Sequence, residues 1–314
     1  MSARSLSVRS AAKINLHLRV AGPDASGFHP LRSWVTSVAL FDNLSFAIDP
    51  TGSGLSASRD DWFTLTCDDP ALRCDDSNLI VRAAAAFAGA VPGARTVGRV
   101  IASLQKRIPM GGGLGGGSSN AAATLLALNA LLPDVLGVEP LDARTLHTLG
   151  CALGSDVAFF LGTPSAVMTG RGEHIESVAV PAVARFALLM FPPFGVNTAA
   201  CYRRLDALRP IAPSETLEPI DVGAWSRLSS RDLLAKLVND LEVPAFDLAP
   251  ELVRLKLDCE HTLGQTVRMS GSGSTLFTLF DTRGEADIAS RSLNSLIRCE
   301  VAELCVPPVD VEMR

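Results

Sequence analysis

Between Ile108 and Asn120 the chain reads Ile-Pro-Met-Gly-Gly-Gly-Leu-Gly-Gly-Gly-Ser-Ser-Asn, with six glycines in the seven positions 111–117. A stretch so poor in side chains cannot bury an apolar face, but its backbone can approach another group very closely. Two hydroxyls and an amide follow at Ser118, Ser119 and Asn120, and then an alanine- and leucine-rich segment. This order predicts a loop that delivers the chain into a helix N-terminus. Unpaired N–H groups and the positive end of the helix dipole favour an anion there, above all a phosphate. A flexible linker is the competing reading. It fits poorly, because apolar periodic segments flank the run, an N-cap signal ends it and it is not repeated.

Two familiar phosphate loops do not match. A Walker A loop ends in Gly-Lys-Ser/Thr, and no lysine lies between Met110 and Leu125. Gly111, Gly113 and Gly116 satisfy G-x-G-x-x-G, a weak signal inside any glycine run. The dinucleotide fold also asks for an acidic residue about 20 residues later. Asp134 stands near that distance, but in Leu-Pro-Asp-Val-Leu-Gly, which reads as a loop. The run is expected to be a phosphate cradle of a third kind.

The remaining chain limits the partners of that cradle. Its 314 residues suffice for two domains or one large one. A net charge of −5 offers no broad basic surface, so neither nucleic acid nor a membrane is expected as a partner. Seven scattered cysteines without a C-x-x-C pair suit reduced thiols in a cytoplasmic protein. Arg4, Arg9, Lys13 and Arg19, with no acid around them, have the charge of a targeting peptide, yet the alternation through Ile14–Val20 reads as a strand. The most apolar window, 178–196, is broken by Pro181, Arg185, Pro192 and Pro193. It reads as a strand over Phe186–Phe191, and no transmembrane helix is expected.

Residues 5–48 read as strands and turns, with a turn at 22–27 and strands over Trp34–Leu40 and Leu44–Ile48. Asp49–Asp61, rich in Gly, Ser and Asp, reads as a surface insertion or hairpin tip. A helix is expected from Ser77, capped by Ser77 or Asn78. A strand over Val97–Leu104 feeds the glycine loop, and a helix over Asn120–Leu132 is stopped by Pro133. A further helix, Leu141–Leu153, ends at Gly154. Beyond it, Ala166–Thr169 and His174–Val178 suggest a hairpin around Gly170-Arg171-Gly172. Helices are expected at Arg231–Asn239 and Pro250–Leu263, and strands at Val267–Ser270 and Thr275–Phe280. A last helix, Glu285–Ile297, precedes a terminal strand. Few regular βαβ alternations occur, which predicts an α+β architecture, divided near residue 165.

Four places carry candidate chemistry. Lys13, Asn15 and His17 share one face of a strand by alternation. That face is either solvated or a row of donors on the floor of a cleft, with the lysine holding a phosphate or perturbing a carboxylate. Asp156 precedes an apolar run; it is either a helix cap or a carboxylate that orients a substrate hydroxyl and accepts its proton. Gly271-Ser272-Gly273-Ser274 is either a plain hairpin turn or a loop whose backbone approaches a ligand. His29, a lone histidine, is either structural or, with Phe28 beside it, suited to reading a heterocyclic base.

Taken together and in order, several segments resemble the GHMP kinase superfamily over residues 8–282. They are Ala12-Lys13-Ile14-Asn15-Leu16, Gly27-Phe28-His29, Ser77-Asn78-Leu79-Ile80, and Lys106-Arg107-Ile108-Pro109 with the glycine loop. Leu153-Gly154-Ser155-Asp156-Val157, Gly170-Arg171-Gly172-Glu173, Val238-Asn239-Asp240-Leu241-Glu242 and Ser270-Gly271-Ser272-Gly273 continue the series. The long glycine form is similar to the branch acting on a cytidyl diphosphate substrate; sister kinases typically carry a shorter Gly-Leu-Gly-Ser-Ser.

The resemblance implies a two-domain α+β GHMP kinase fold. A ribosomal protein S5 domain 2-like N-terminal domain would span 1–165 and a ferredoxin-like C-terminal domain 166–314. It implies ATP and Mg²⁺, a small-molecule cytidyl diphosphate substrate in isoprenoid precursor synthesis, and a monomer or weak homodimer. Lys13 and Asp156 would be the catalytic pair. Asn15 and His29 would contact the substrate, with Phe28 and Tyr202 sandwiching the cytosine. Pro109, Met110, Gly111, Gly112, Gly113, Leu114, Gly115, Gly116, Gly117, Ser118 and Ser119 would bind ATP, Ser119 also touching Mg²⁺. Asn78, Leu79 and Lys106 would lie near adenine. The sequence departs from the family pattern at Phe28, where tyrosine is usual, at Ala11, where proline is common, and in the added Asp49–Asp61 segment. The alternatives are a sister GHMP kinase acting on a mevalonate-like, homoserine or sugar alcohol, and a non-catalytic nucleotide sensor on the same fold.

Overall fold

The alternation around Lys13 extends into a strand of sixteen residues, β1 (Ser5–Val20), antiparallel to a longer one, β2 (Leu31–Asp49). A computed structural model describes residues 5–49, 62–208 and 217–313. Beyond Asp49, the Asp49–Asp61 segment lies outside the described residues. The two strands expected over Trp34–Ile48 are one, because Phe41, Asp42 and Asn43 pair with β1 with no turn between. The other strands are β3 (Phe63–Cys67), β4 (Arg99–Gln105), β5 (Ser165–Gly170), β6 (His174–Ser177), β7 (Phe186–Phe191), β8 (Arg268–Met269), β9 (Leu276–Phe280), β10 (Arg298–Glu303) and β11 (Val309–Met313). One sheet runs β11-β1-β2-β4-β3, with the β5–β6 hairpin attached to β2; the other runs β10-β7-β9-β8. The sheets do not part at residue 165, since β5, β6 and β11 come from beyond it and complete the first sheet.

The helices begin where capping groups allow. α1 (Leu79–Ala90) starts on Asn78, whose side-chain oxygen accepts from the Ile80 N–H, and buries Ile80, Ala83, Ala84 and Phe87. α2 (Gly116–Leu136) starts inside the glycine run, ahead of the expected Asn120, because Gly115 adopts a left-handed φ of +69° that turns the chain into the helix. It also runs through Pro133. A proline in the last turn removes a single interior hydrogen bond, and Gly137 then closes the helix in the left-handed conformation. Asp134 is therefore helical, not part of a loop. By length and composition α2 is apolar enough to cross a membrane, but it is a buried core helix: Ala121, Ala122, Ala123, Leu125, Leu128 and Leu132 are fully covered.

α3 (Ala143–Leu153) is capped by Asp142, and Gly154 separates it from the short α4 (Ser155–Phe160). The second half carries α5 (Thr198–Leu208), α6 (Val222–Trp225), α7 (Ser230–Lys236), α8 (Glu242–Leu248), α9 (Pro250–Leu263) and α10 (Arg283–Leu293). α7 stops short of the expected Asn239, because residues 238–240 hydrogen-bond to Leu18 at the end of β1. α10 likewise stops before Ile297, and two strands follow it. Ala12, Ile14 and Leu16 of β1 share an apolar cluster with Leu189, Phe277, Leu279 and Ala302 of the second sheet. β1 thus reaches the junction of the two halves, where the site lies.

A bulge at Leu16 breaks the alternation of β1: Asn15 pairs with Val35, but His17 pairs with Trp34. His17 therefore leaves the face of Lys13 and Asn15. Its ring packs edge-on against Trp225 at 5.3 Å, and its Nδ1 accepts from the Val238 N–H. Burial, aided by the charge of Arg19, lowers its pKa from 6.5 to about 4. The unfolded chain binds this proton below about pH 6.5 and the folded chain only near 4, so the stability it contributes is complete above that window and lost as pH falls through it. His17→Gln is expected to flatten the melting-temperature profile between these pH values; a slope equal to the parent's would refute the assignment.

Candidate active site

The glycine loop is tied down at several points. Leu114 O accepts from the Lys13 N–H (2.9 Å) and Gly112 O from the Thr275 N–H (3.2 Å). Gly113 O accepts from Ser270 Oγ (3.0 Å), which itself receives the Asn15 N–H (3.2 Å). β1, the loop and the Ser270–Thr275 turn thus meet at one place. Only glycine fits there. Gly113 has φ +75°, and a Cβ on it would lie 2.2 Å from Ser270 O; one on Gly115 would lie 3.0 Å from both Lys13 Cγ and the Phe160 ring.

Two cavities flank this loop. The smaller, about 320 Å³, is lined by Asn78, Leu79, Lys106, Asn120 and the loop from Pro109 to Ser118. The first turn of α2 has no helical partners for its N–H groups, so the loop and helix together make an anion-binding wall. Lys106 lines this cavity, but its ammonium is paired with Asp42 at 2.6 Å and is not a free cation facing a base. Asn78 spends its side chain on the α1 cap and on the Arg73 carbonyl.

The larger cavity, about 660 Å³, holds Lys13, Asn15, Phe28, His29, Asp156 and Tyr202 together, with Gly271 and Ser272 on its wall. The second small-residue loop is thus a close backbone approach as well as the connection between β8 and β9. Gly113, Gly115 and Ser118 line both cavities, which therefore join along the glycine loop.

Lys13 Nζ lies 3.4 Å from Asp156 Oδ2 and donates to Asn15 Oδ1 at 2.7 Å; Asn15 Nδ2 in turn donates to Ser33 Oγ at 2.8 Å. The lysine side chain is 6% exposed and the aspartate 34%. The ammonium is thus fixed while the carboxylate stays open to the cavity. Asp156 occupies the first turn of α4, where the helix dipole favours its charge.

On the far wall, His29 Nε2 is 2.7 Å from Asp206 Oδ1, and its ring centroid is 5.2 Å from that of Tyr202. Burial, with the Asp156 carboxylate nearby, pushes the Tyr202 hydroxyl up to about 12, so it remains a neutral donor. Phe28 is 56% exposed, and the Arg171 guanidinium stacks 4.1 Å over its ring. Arg171 also bonds Asp24 (3.0 Å) and Ser26. Hydrogen bonds, chiefly from Ser26, hold the Asp24 carboxyl below the ordinary range.

Ser119 is placed differently from its neighbour. Consecutive helical residues point about 100° apart. Ser118 lines both cavities, whereas Ser119 is fully buried and lines neither; its Oγ has no hydrogen-bond partner among the described residues. Arg171, Asp206 and Asp42 are polar residues about the site to which the sequence reading attached no role. Asp206 follows Tyr202 by one helical turn on α5, a spacing that was available as a signal. Arg171 stood in the Gly170–Gly172 turn and in one segment of the family resemblance, neither of which gave its side chain a task. Among the described residues no group of three or more His, Cys, Asp or Glu side chains is placed to hold a metal ion.

Residues 78–163 match the GHMP kinases N terminal domain, and residues 222–298 match GHMP kinases C terminal. A protein of Protochlamydia amoebophila named 4-diphosphocytidyl-2-C-methyl-D-erythritol kinase is 36% identical over 275 residues, covering 88% of this chain and 84% of its own. A protein of Solibacter usitatus with the same name is 38% identical over 282 residues, covering 89% and 83%. A crystal structure of 4-(cytidine 5'-diphospho)-2C-methyl-D-erythritol kinase matches with a TM-score of 0.72 and 34% identity, covering 96% of this chain and 99% of that one.

Proposed function

The chain belongs to the GHMP kinase family, and we propose that it transfers the γ-phosphoryl group of ATP to the 2-hydroxyl of 4-diphosphocytidyl-2-C-methyl-D-erythritol. That reaction belongs to the non-mevalonate route to isoprenoid precursors. One observation carries the reading: two cavities join along the glycine loop, and the Lys13–Asp156 pair stands on the side away from the Asn78–Lys106 wall. The loop and the first turn of α2 receive the ATP phosphates, and the larger cavity receives the alcohol.

Phosphoryl transfer passes through a loose transition state, so positioning and charge neutralisation matter more than a strong base. Asp156 orients the alcohol and takes up its proton as the new oxygen–phosphorus bond forms and the bond to the ADP oxygen breaks. Lys13 keeps that carboxylate in place and offsets negative charge on the transferring group. Asn15, itself held by Ser33, fixes the lysine. Mg²⁺, when bound, would neutralise phosphate charge, and Ser118 and Asp156 are the cavity residues whose oxygens would hold it.

The far wall suits a pyrimidine. Phe28 and Tyr202 offer faces for stacking. Asp206 accepts from His29 Nε2–H, a tautomer that leaves Nδ1 to accept from the amino group of cytosine. An aromatic–histidine wall of this kind has no use for mevalonate, homoserine or a free sugar, which favours the cytidyl substrate over the sister reactions.

A panel of alcohols with ATP and Mg²⁺ tests the reading. ADP release is expected with the cytidyl substrate and not with mevalonate, homoserine or galactose. Release with one of those alone would reassign the acceptor, and none with any alcohol would restore the nucleotide-sensor reading. Phe28→Leu is expected to raise KM for the cytidyl substrate about tenfold, the scale of one stacked base, without moving KM for ATP. An unchanged acceptor KM would remove Phe28 from the base site.

A further inference from the structure

One buried carboxylate holds both ends of the glycine loop. Asp42 of β2 is fully buried and accepts four hydrogen bonds. Its Oδ1 takes the backbone N–H groups of Arg107 (2.7 Å) and Ile108 (2.8 Å), where the chain leaves β4 for the loop. Its Oδ2 takes Lys106 Nζ (2.6 Å) and Asn120 Nδ2 (2.9 Å), the latter in α2 just beyond the loop. Ser10 Oγ donates to Asn120 Oδ1 at 2.6 Å, so both polar atoms of that amide are engaged. Strand register explains the convergence: Asp42 pairs with Ser10, and the next residue, Asn43, pairs with Gln105 at the end of β4. Lys106 is equally committed. Its Nζ also donates to the Ile108 carbonyl and lies 3.1 Å from where a Cβ on Gly116 would stand.

A buried carboxylate without partners would be costly, and here every partner is a donor. An amide at position 42 could not satisfy all four. We propose that Asp42 is a positioning residue for the donor nucleotide. By fixing Ile108 and Asn120 to a single carboxylate it sets the span of the glycine loop, and with it the spacing of the N–H groups that meet the ATP phosphates. Lys106 acts through Asp42, as the counter-charge that makes this buried anchor stable. The inference rests on the reading of the loop as the ATP clamp.

Three variants test it, Asn120→Ala, Asp42→Asn and Ser118→Ala, by steady-state kinetics with ATP and the alcohol varied separately. Asn120→Ala keeps the Asp42–Lys106 pair, and with it the fold, while releasing the far end of the loop. It is expected to raise KM for ATP about tenfold, the scale of one charge-assisted hydrogen bond, and to leave kcat and the acceptor KM within about twofold. Asp42→Asn is expected to raise the ATP KM further; should it not fold, Asn120→Ala carries the test. A purely structural role would lower the melting temperature and spare the ATP KM. An unmoved ATP KM in Asn120→Ala, beside a raised one in Ser118→Ala, overturns the positioning role. An unmoved ATP KM in Ser118→Ala overturns instead the reading of the loop.

Discussion

Asp156→Asn is expected to lower kcat by roughly 10²–10⁴-fold, the range for losing a positioned proton acceptor, with KM for ATP and the melting temperature close to the parent's. The separation follows from where the side chain sits. Asp156 is partly open to the larger cavity and pairs with Lys13, so little of the fold depends on its charge. Asparagine keeps its shape but cannot take up a proton. Lys13→Met is expected to fall in the same direction, because the carboxylate then loses the ammonium that fixes it and the transferring group loses a nearby positive charge. Lys13 also anchors the loop through its backbone, and that bond survives the substitution. Kinetics on both purified variants, with melting curves alongside, check the pair. Turnover within about tenfold of the parent in Asp156→Asn would exclude it as the proton acceptor.

Gly113→Ala is the second large effect expected. Its Cβ would lie 2.2 Å from a backbone carbonyl, that of Ser270, and the residue has φ +75°. A left-handed conformation costs an ordinary residue roughly 1–2 kcal/mol, and overpacking adds about 1–3 kcal/mol. Relief requires the Ser270–Thr275 turn to move away from the loop, which opens the place where the two cavities join. Gly111→Ala is the control: its φ is +68°, yet nothing lies within 4 Å of its Cβ position. It carries the conformational cost alone. Denaturant unfolding and turnover should therefore show a much larger loss at Gly113 than at Gly111. Equal losses would show that the close approach to Ser270 does not matter.

Legibility followed how local the cause was. β7 occupies the expected Phe186–Phe191, because an apolar run bounded by prolines admits little else. α9 spans the expected Pro250–Leu263, opened by a proline and closed by Gly264. The turn at Gly170–Gly172 joins β5 to β6 as its glycines suggest. His17 shows the opposite case. Strict alternation puts it beside Lys13, but the bulge at Leu16 exists only through the pairing of β1 with β2. Asp42 stood in an apolar strand with no local motif around it. Its four donors come from the segment just after β4 and from α2.

A glycine run is a local constraint: the missing side chains and the helix behind them already make a phosphate cradle, and the residue types of Lys13, Asp156, Phe28 and His29 already name the available chemistry. Which of these groups meet is a different matter. Contact between distant segments depends on strand register, on a bulge and on how closely two halves pack, and no short stretch of chain encodes those. Packing brought Lys13 to Asp156 and the Ser270–Thr275 turn onto the loop. It also buried Ser119 while leaving Ser118 at the cavities, and paired Lys106 with Asp42. Local backbone chemistry supplied the cradle. Tertiary packing decided which charges face it, because burial leaves a charge stable only where its partners converge.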